Sequence, residues 1–483
     1  MAIPSIVEAL RQADWKAAET LAHARLAEQP GDAQTWELLG ESLEHQDQKT
    51  AAWAAYDRAW MLDPRAAWAP VARTRLGIAE AESLPMRDPL PPWLSAALAV
   101  PSVPVVGAMI ARNEADTIGT ALERLKPAVD RLVVVDTGST DQTMAIARQA
   151  GAEVVAQSWA DDFAAARNAA QAALGEDGWV LWVDADEWLD PEDVHVPRIM
   201  AGLWGAQMVL ARIVQVNWMG GRPNPNYDTT RFYPLGRGVA WGGRIHEQVV
   251  PPPSVAVAAR PCVRIRVHHR GYEPEVMARK GKLARNERIL RATIAAEPDN
   301  VAAWGFLGRD MFVAGKTEEA IDVLVRADQL AEHRPDYARR SEVRHVLVEA
   351  YLRTGQIANA RQVVRQLTQD DPDFPGGWYL RGQVALQEVL QALADARASF
   401  DQAIAMVPRY RGAVSFNADI PGLLAPIGLA DVAKFEGRWA DAWQRYTAVR
   451  GQYGTPEVTQ QLQWMKRAVA DLETVWRRQE QDA

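Results

Sequence analysis

Hydrophobic and polar positions follow two rhythms along this chain. Over residues 1–75, Ala, Leu, Glu, Arg and Trp recur at helical spacing, which predicts paired helices. From Val103 the pattern changes to short apolar runs alternating with helical segments. These are Val105–Ile110, Thr117–Leu125, Leu132–Val135, Thr143–Gly151, Glu153–Val155, Phe163–Leu174 and Val180–Val183. Strands separated by helices of this size predict βαβ units and a mostly parallel sheet, with ligands at the carboxyl ends of its strands. After Tyr272 the helical rhythm returns and persists. Between the first two regions, Pro85, Pro89, Pro91, Pro92 and Pro101 exclude a long regular helix and predict a stiff connector. The expected organisation is therefore a helical segment over 1–75, a linker over 76–102, an α/β domain over 103–272 and a second helical segment over 273–483.

Both helical segments carry a repeat. Trp36, Leu39, Gly40, Leu43, Ala52, Tyr56, Ala59 and Pro64 match the tetratricopeptide pattern, a helix pair of about 34 residues. In the C-terminal segment Trp304, Leu307, Gly308, Gly315, Ala320, Leu324 and Ala327 repeat it, and Tyr351, Gly355, Ala360 and Pro372 mark another unit. Trp378 and Gly382 open a further unit that reaches Phe400, Ala403 and Pro408 after a small insertion, and Gly437, Ala442 and Tyr446 indicate a last one. Stacked units bury their apolar faces on their neighbours, so the expectation is an all-α solenoid with a concave surface suited to a protein partner.

Chemistry concentrates where the α/β pattern predicts strand ends. The run Trp179-Val180-Leu181-Trp182-Val183 delivers Asp184, Ala185, Asp186 and Glu187. Two carboxylates one residue apart suit a hard divalent ion, Mn²⁺ or Mg²⁺, that shares its other positions with substrate phosphates; a solvated acidic turn has the same pattern. Arg112, Asn113 and Glu114 follow the first strand, and Asp136-Thr137-Gly138-Ser139-Thr140-Asp141 follows the second.

Taken in order, Ile110-Ala111-Arg112-Asn113-Glu114, Val135-Asp136-Thr137-Gly138-Ser139-Thr140-Asp141-Gln142-Thr143, Ala166-Arg167-Asn168 and Leu181-Trp182-Val183-Asp184-Ala185-Asp186-Glu187 resemble the family 2 glycosyltransferases of the GT-A fold, over residues 103–272. The resemblance implies a Rossmann-like α/β catalytic domain that inverts the anomeric centre of a nucleotide-sugar donor, expected to be UDP-linked. It implies that Arg112, Asn113, Glu114, Asp136, Gly138, Ser139, Arg167, Asn168, Asp184, Ala185 and Asp186 line the donor. Asp136 would accept from the nucleobase, Gly138 and Ser139 would turn the backbone before a helix starting at Asp141, and Arg167 and Asn168 would lie beside the sugar or diphosphate. Downstream, Glu247 would deprotonate the acceptor with His246 as its partner, and a strand-end histidine would join Asp184 and Asp186 on the metal. The ending His269-Arg270-Gly271-Tyr272 favours His269, although strand alternation sends His268 and His269 to opposite faces and does not itself choose. Arg270 would reach the diphosphate.

Plainer roles compete for several of these residues. Arg167 would pair with Asp161 or Asp162 on a helix surface, Glu247 would pair with Arg244 or cap a helix, and His246 would be a core histidine. Arg260, Arg264, Arg266 and Arg270 read as one solvated strand face, and Trp188, Trp218 and Trp241 as core packing.

Composition narrows the setting. The chain has 483 residues, a formal net charge of −9 and a single cysteine, Cys262. That balance gives no overall attraction to nucleic acid, and one cysteine closes no intramolecular disulfide. No secretory signal or membrane span is apparent in the pattern, so a cytoplasmic setting is expected. The repeats point to a protein or peptide acceptor. A saccharide or lipid-linked acceptor, or a repeat scaffold without turnover, are the alternatives.

Overall fold

The computed structural model describes residues 3–78, 89–269, 282–335, 337–412 and 414–482; Arg270 lies outside these. The chain forms two compact units, Met1–Pro298 and Asp299–Ala483. Among the described residues, no helix is long and apolar enough to cross a membrane.

The first unit is built on an eight-stranded sheet in the order β3-β2-β1-β4-β7-β6-β10-β5. The strands are β1 (Val105–Ala111), β2 (Arg131–Asp136), β3 (Glu153–Ala156), β4 (Trp179–Trp182), β5 (Glu187–Leu189), β6 (Ala211–Met219), β7 (Arg222–Pro234) and β10 (Cys262–His269). A separate two-stranded ribbon pairs β8 (Ala240–Gly242) with β9 (Gln248–Val250). β3, β2, β1 and β4 run parallel. β7 then pairs antiparallel with β4 on one side and β6 on the other, and β10 lies parallel to β6. β4, β6 and β10 consequently point the same way as β1 and β2. Their carboxyl ends line one edge of the sheet, the edge at which open α/β sheets bind ligands. The β6–β7 hairpin turns at Gly220 and Gly221, both at positive φ, the backbone state that a tight two-residue turn requires.

Apolar layers cover both faces of the sheet. One contains Met109, Leu181 and Ile265, the other Val106, Trp182 and Tyr233. The N-terminal helices Ala33–His45 and Lys49–Leu62 pack as an antiparallel pair around Trp36, Leu39 and Ala52. Gly40 is required there because a Cβ would run into the ring of Tyr56. These helices also meet β10. Arg264 donates to Asp57 at 2.7 Å and to Asp193 at 3.0 Å, and its guanidinium lies 4.1 Å from the Trp60 ring centroid. Arg266 is held by Asp193 at 2.7 Å and by Glu192 at 3.0 Å. The basic run expected on a solvated face is thus corrected for these two residues. Arg264 is only 2% exposed, because acidic partners from other elements compensate its burial.

Among the described residues, the regular elements of the second unit are helices. Antiparallel pairs are formed by Val301–Val313 with Thr317–Glu332, Arg340–Arg353 with Ile357–Asp370, and Ala425–Phe435 with Trp439–Tyr453. Each pair turns at a glycine with positive φ: Gly315, Gly355 and Gly437. The unit expected from Trp378 to Pro408 differs. It is one continuous helix, Pro375–Met406, because residues 384–406 contain no glycine or proline at which a turn can form. A final helix runs from Pro456 to Asp482.

Candidate active site

At the ends of β1 and β2, two loops are tied together. Asn113, at φ 55, donates its backbone N–H to Ser139 Oγ at 2.9 Å, and its Oδ1 accepts from Thr140 N at 2.8 Å. Glu114 N donates to Thr143 Oγ1 at 2.8 Å. The helix after this turn spans Thr143–Gln149, two residues later than expected, because Asp141 instead accepts from Thr143 N with Oδ1 and from Ala115 N with Oδ2. Arg112 is exposed at the end of β1.

Asp136, the last residue of β2, is 3% exposed. Its Oδ2 accepts from Gly138 N at 3.1 Å and Ser139 N at 3.0 Å. Its Oδ1 is buried with no hydrogen-bond partner among the described residues. A buried acceptor left open in this way is costly unless a ligand donor meets it.

Arg167 is the hub of the site. The helix Phe163–Ala169, capped by Asp162, points this side chain inward, where it is 2% exposed. Its Nε donates to Glu247 Oε1 at 2.7 Å and its Nη2 to Asp184 Oδ1 at 2.9 Å. The guanidinium lies 4.9 Å from the Trp182 ring centroid and 4.6 Å from that of Trp241. The surface pairing of Arg167 with Asp161 or Asp162 is not formed, and Glu247 pairs with Arg167 rather than with Arg244. Asn168, expected beside the donor, has a different task. It donates to Trp241 O and accepts from Trp241 N, both at 2.9 Å, which docks β8 onto the helix.

Asp184 and Asp186 take separate partners. Asp184 is clamped by Arg231, which donates to Oδ1 at 2.9 Å and Oδ2 at 2.8 Å, in addition to Arg167. Burial alone would raise its pKa, but the Arg231 and Arg167 charges hold the carboxyl well below the usual range. Ala185 turns into the core. Asp186 Oδ2 lies 3.6 Å from His269 Nε2 and 3.3 Å from Lys282 Nζ. His269 Nδ1 contacts Asn217 Oδ1 at 3.1 Å. Since that oxygen only accepts, Nδ1 carries the proton and Nε2 faces Asp186, the orientation that metal-binding imidazoles adopt. Burial opposes charge on His269, yet the Asp186 contact and the Glu187 charge raise its pKa. His268 points away, with Nε2 at 3.0 Å from Asp190 and its ring stacked on Trp188 and Trp218.

The expected metal set of Asp184, Asp186 and His269 is therefore not assembled as three. Two arginines hold Asp184, and among the described residues no group of three acidic, His or Cys side chains stands ready for an ion. Asp186 and His269 do fit one. An oxygen and an imidazole nitrogen face each other at 3.6 Å, beside the Lys282 ammonium that already sits against the same oxygen, and Mg²⁺ or Mn²⁺ commonly takes few protein ligands and completes its shell with water and phosphate. His246 sits in the loop before β9 at φ 52, a strained position for a non-glycine residue.

Several site residues carried no expectation of a role. Arg231 on β7 clamps Asp184, and Glu187 accepts from Asp184 N at 2.9 Å and from Gln215. Burial, together with the Asp184 charge, raises the pKa of Glu187. Asn217 and Lys282 complete the list. Arg231, Asn217 and Lys282 reach the site through long-range pairing, which local motifs do not reveal, whereas Glu187 lies within the same acidic run, three residues from Asp184.

The family profile for glycosyl transferase family 2 matches residues 108–250, and a tetratricopeptide repeat profile matches residues 345–411. A TPR repeat-containing protein of Synechococcus elongatus is 30% identical over 273 residues, covering 55% of this chain and 65% of that protein. The SPbeta prophage-derived glycosyltransferase SunS of Bacillus subtilis is 27% identical over 226 residues, covering 45% of this chain and 52% of SunS. The chain thus spans less than two thirds of either relative. The crystal structure of S. aureus TarS residues 1–349 aligns with a TM-score of 0.31 at 15% identity, over 56% of this chain and 93% of that one. Residues 108–250 are a family 2 glycosyltransferase domain, on a chain that also carries tetratricopeptide repeats.

Proposed function

We propose that the protein transfers a sugar from a nucleotide-sugar donor, UDP-linked in the first instance, to a protein or peptide acceptor recognised by its repeats. The observation that carries this reading is the Arg167 bridge, which joins Glu247 and Asp184 through one guanidinium at the carboxyl edge of the sheet. The open Oδ1 of Asp136, at the same edge, is suited to accept from a base N–H. Glu247 is the base. Arg167 holds Oε1, and among the described residues no donor occupies Oε2, which takes the acceptor's proton as its nucleophilic atom attacks the anomeric carbon. The bond from that carbon to the nucleotide diphosphate breaks, and positive side chains around the crevice stabilise the negative charge that develops. A Mn²⁺ or Mg²⁺ ion held by Asp186 and His269 would add positive charge beside the leaving diphosphate. The acceptor class is supported by the helical repeats, which build protein-binding surfaces.

The test is transfer of label. Radiolabelled nucleotide sugars are incubated with the full chain and lysate proteins, with Asp186→Ala and Glu247→Ala as controls. Label in a protein band that both variants abolish supports the proposal. Label confined to glycan or lipid overturns the protein acceptor, and donor binding without transfer to any acceptor overturns the enzyme.

A further inference from the structure

Helix Lys282–Ala296 carries Lys282, Arg285 and Arg288 at a spacing of three, along one side of the helix. The outer two are anchored to different walls of the strand-end crevice. Lys282 Nζ sits 3.3 Å from Asp186 Oδ2, after β4. Arg288 grips Asp161 with both terminal nitrogens, and Asp161 also accepts from Trp159 Nε1 at 2.9 Å, just before the helix that carries Arg167. The middle residue therefore crosses the space between those walls.

Arg285 is the member of the row without an acidic partner in direct contact among the described residues. Its guanidinium lies 5.0 Å from the Phe163 ring centroid and its Nη2 donates to the neighbouring Asn286 at 3.1 Å, while its Nε is buried with no hydrogen-bond acceptor among the described residues. It stands within electrostatic reach of Glu247, Asp161, Arg112 and Arg288. Both acids are already neutralised, Glu247 by Arg167 and Asp161 by Arg288. Positive charge is in excess here. Burial and the repulsion of Arg112 and Arg288 lower the pKa of Arg285, so the site is one that an anion would relieve.

Resting on the donor reading above, we propose that Arg285 binds the diphosphate of the nucleotide sugar, with its open Nε–H directed to a phosphate oxygen and Arg112 as the facing cation. A guanidinium is planar and keeps its donors aimed in one plane, which suits phosphate oxygens better than a flexible ammonium does. The helix that follows the catalytic sheet would then be part of the donor site rather than only a spacer leading to the repeats.

The experiment is calorimetric titration of the full chain and its Arg285→Gln and Arg285→Lys variants with UDP, UMP, uridine and inorganic pyrophosphate. The expected result is a loss of about 10- to 100-fold in UDP affinity for Arg285→Gln, the scale of one charge-assisted hydrogen bond, with uridine affinity unchanged and UMP in between. Arg285→Lys should recover part of the loss, and pyrophosphate heat should fall in parallel. An equal loss for uridine and UDP means a structural role and overturns the proposal, as does UDP binding that no substitution at Arg285 alters. An unaltered chain that binds neither uridine nor UDP, while its melting curve shows it folded, sinks the donor reading and this assignment with it. Should Arg285→Gln fail to fold, Arg112→Gln provides the same contrast, since an exposed side chain at the end of β1 tolerates substitution.

Discussion

A single buried guanidinium, Arg167, keeps the acidic groups of this crevice apart in role. Asp184 is fixed as an ion-paired strut between Arg167 and Arg231, whereas Glu247 is held by one oxygen only. Substituting Glu247→Gln keeps the acceptor atom for Arg167 and removes the capacity to take a proton. The expected outcome is a fall in turnover of about 10²- to 10⁴-fold, with donor affinity and melting temperature nearly unchanged, measured by initial rates beside thermal denaturation. Arg167→Met should behave oppositely. It strands Glu247 beside apolar indoles and leaves Asp184 to Arg231 alone, so chemical denaturation should show a loss of about 3–5 kcal/mol, the usual result of breaking a buried pair from one side. Asp136, Asp184 and Asp186 were legible in the sequence because each ends a short apolar run. Arg231 was not, since it meets Asp184 only once β7 pairs with β4, and nothing local encodes that register.

At the scale of elements, periodicity located the parallel half of the sheet because each strand there is followed by its own helix. β6 and β7 were not anticipated, although Gly220-Gly221 is a strong turn signal, because Pro223 and Pro225 break the strand pattern of β7. The fate of the β10 arginines was equally hidden, as their partners lie on the helix Lys49–Leu62 and on the segment after β5. That contact carries a pH signature. Burial would raise the pKa of Asp57, but His195 and Arg264 outweigh it and hold the carboxyl below its ordinary 3.8. A carboxylate depressed in the folded state contributes stability that is complete above its unfolded pKa and is lost as pH falls through the folded value. The Asp57→Asn variant should therefore be less stable than the parent at neutral pH, and the gap should close as pH drops below about 4. Urea unfolding across that range measures it; a gap of constant size would show that Asp57 is not linked to acid stability.

For the whole molecule, the issue is which unit does which part of the work. Everything proposed for donor binding, from Asp136 to Arg285, falls within Met1–Pro298, and the helix pairs from Val301 onward form a unit with its own buried layers. The N-terminal helices are in the first unit and bury Trp60 and Asp57 against β10, so a fragment starting at residue 103 would expose Arg264 and Arg266 without their covering layer. A chain ending at residue 298 is different, because its sheet keeps both apolar faces covered. Expressed alone, the 1–298 fragment should fold with a single cooperative transition and bind nucleoside diphosphate within about threefold of the full chain, a difference of less than 1 kcal/mol. If the repeats select the acceptor, the same fragment should lose transfer to protein while keeping slow hydrolysis of the donor, since water still reaches the base. Comparing product release as free sugar with label in protein separates the two. Undiminished protein transfer by 1–298 would return acceptor recognition to the catalytic crevice and leave the C-terminal helices a role other than substrate choice.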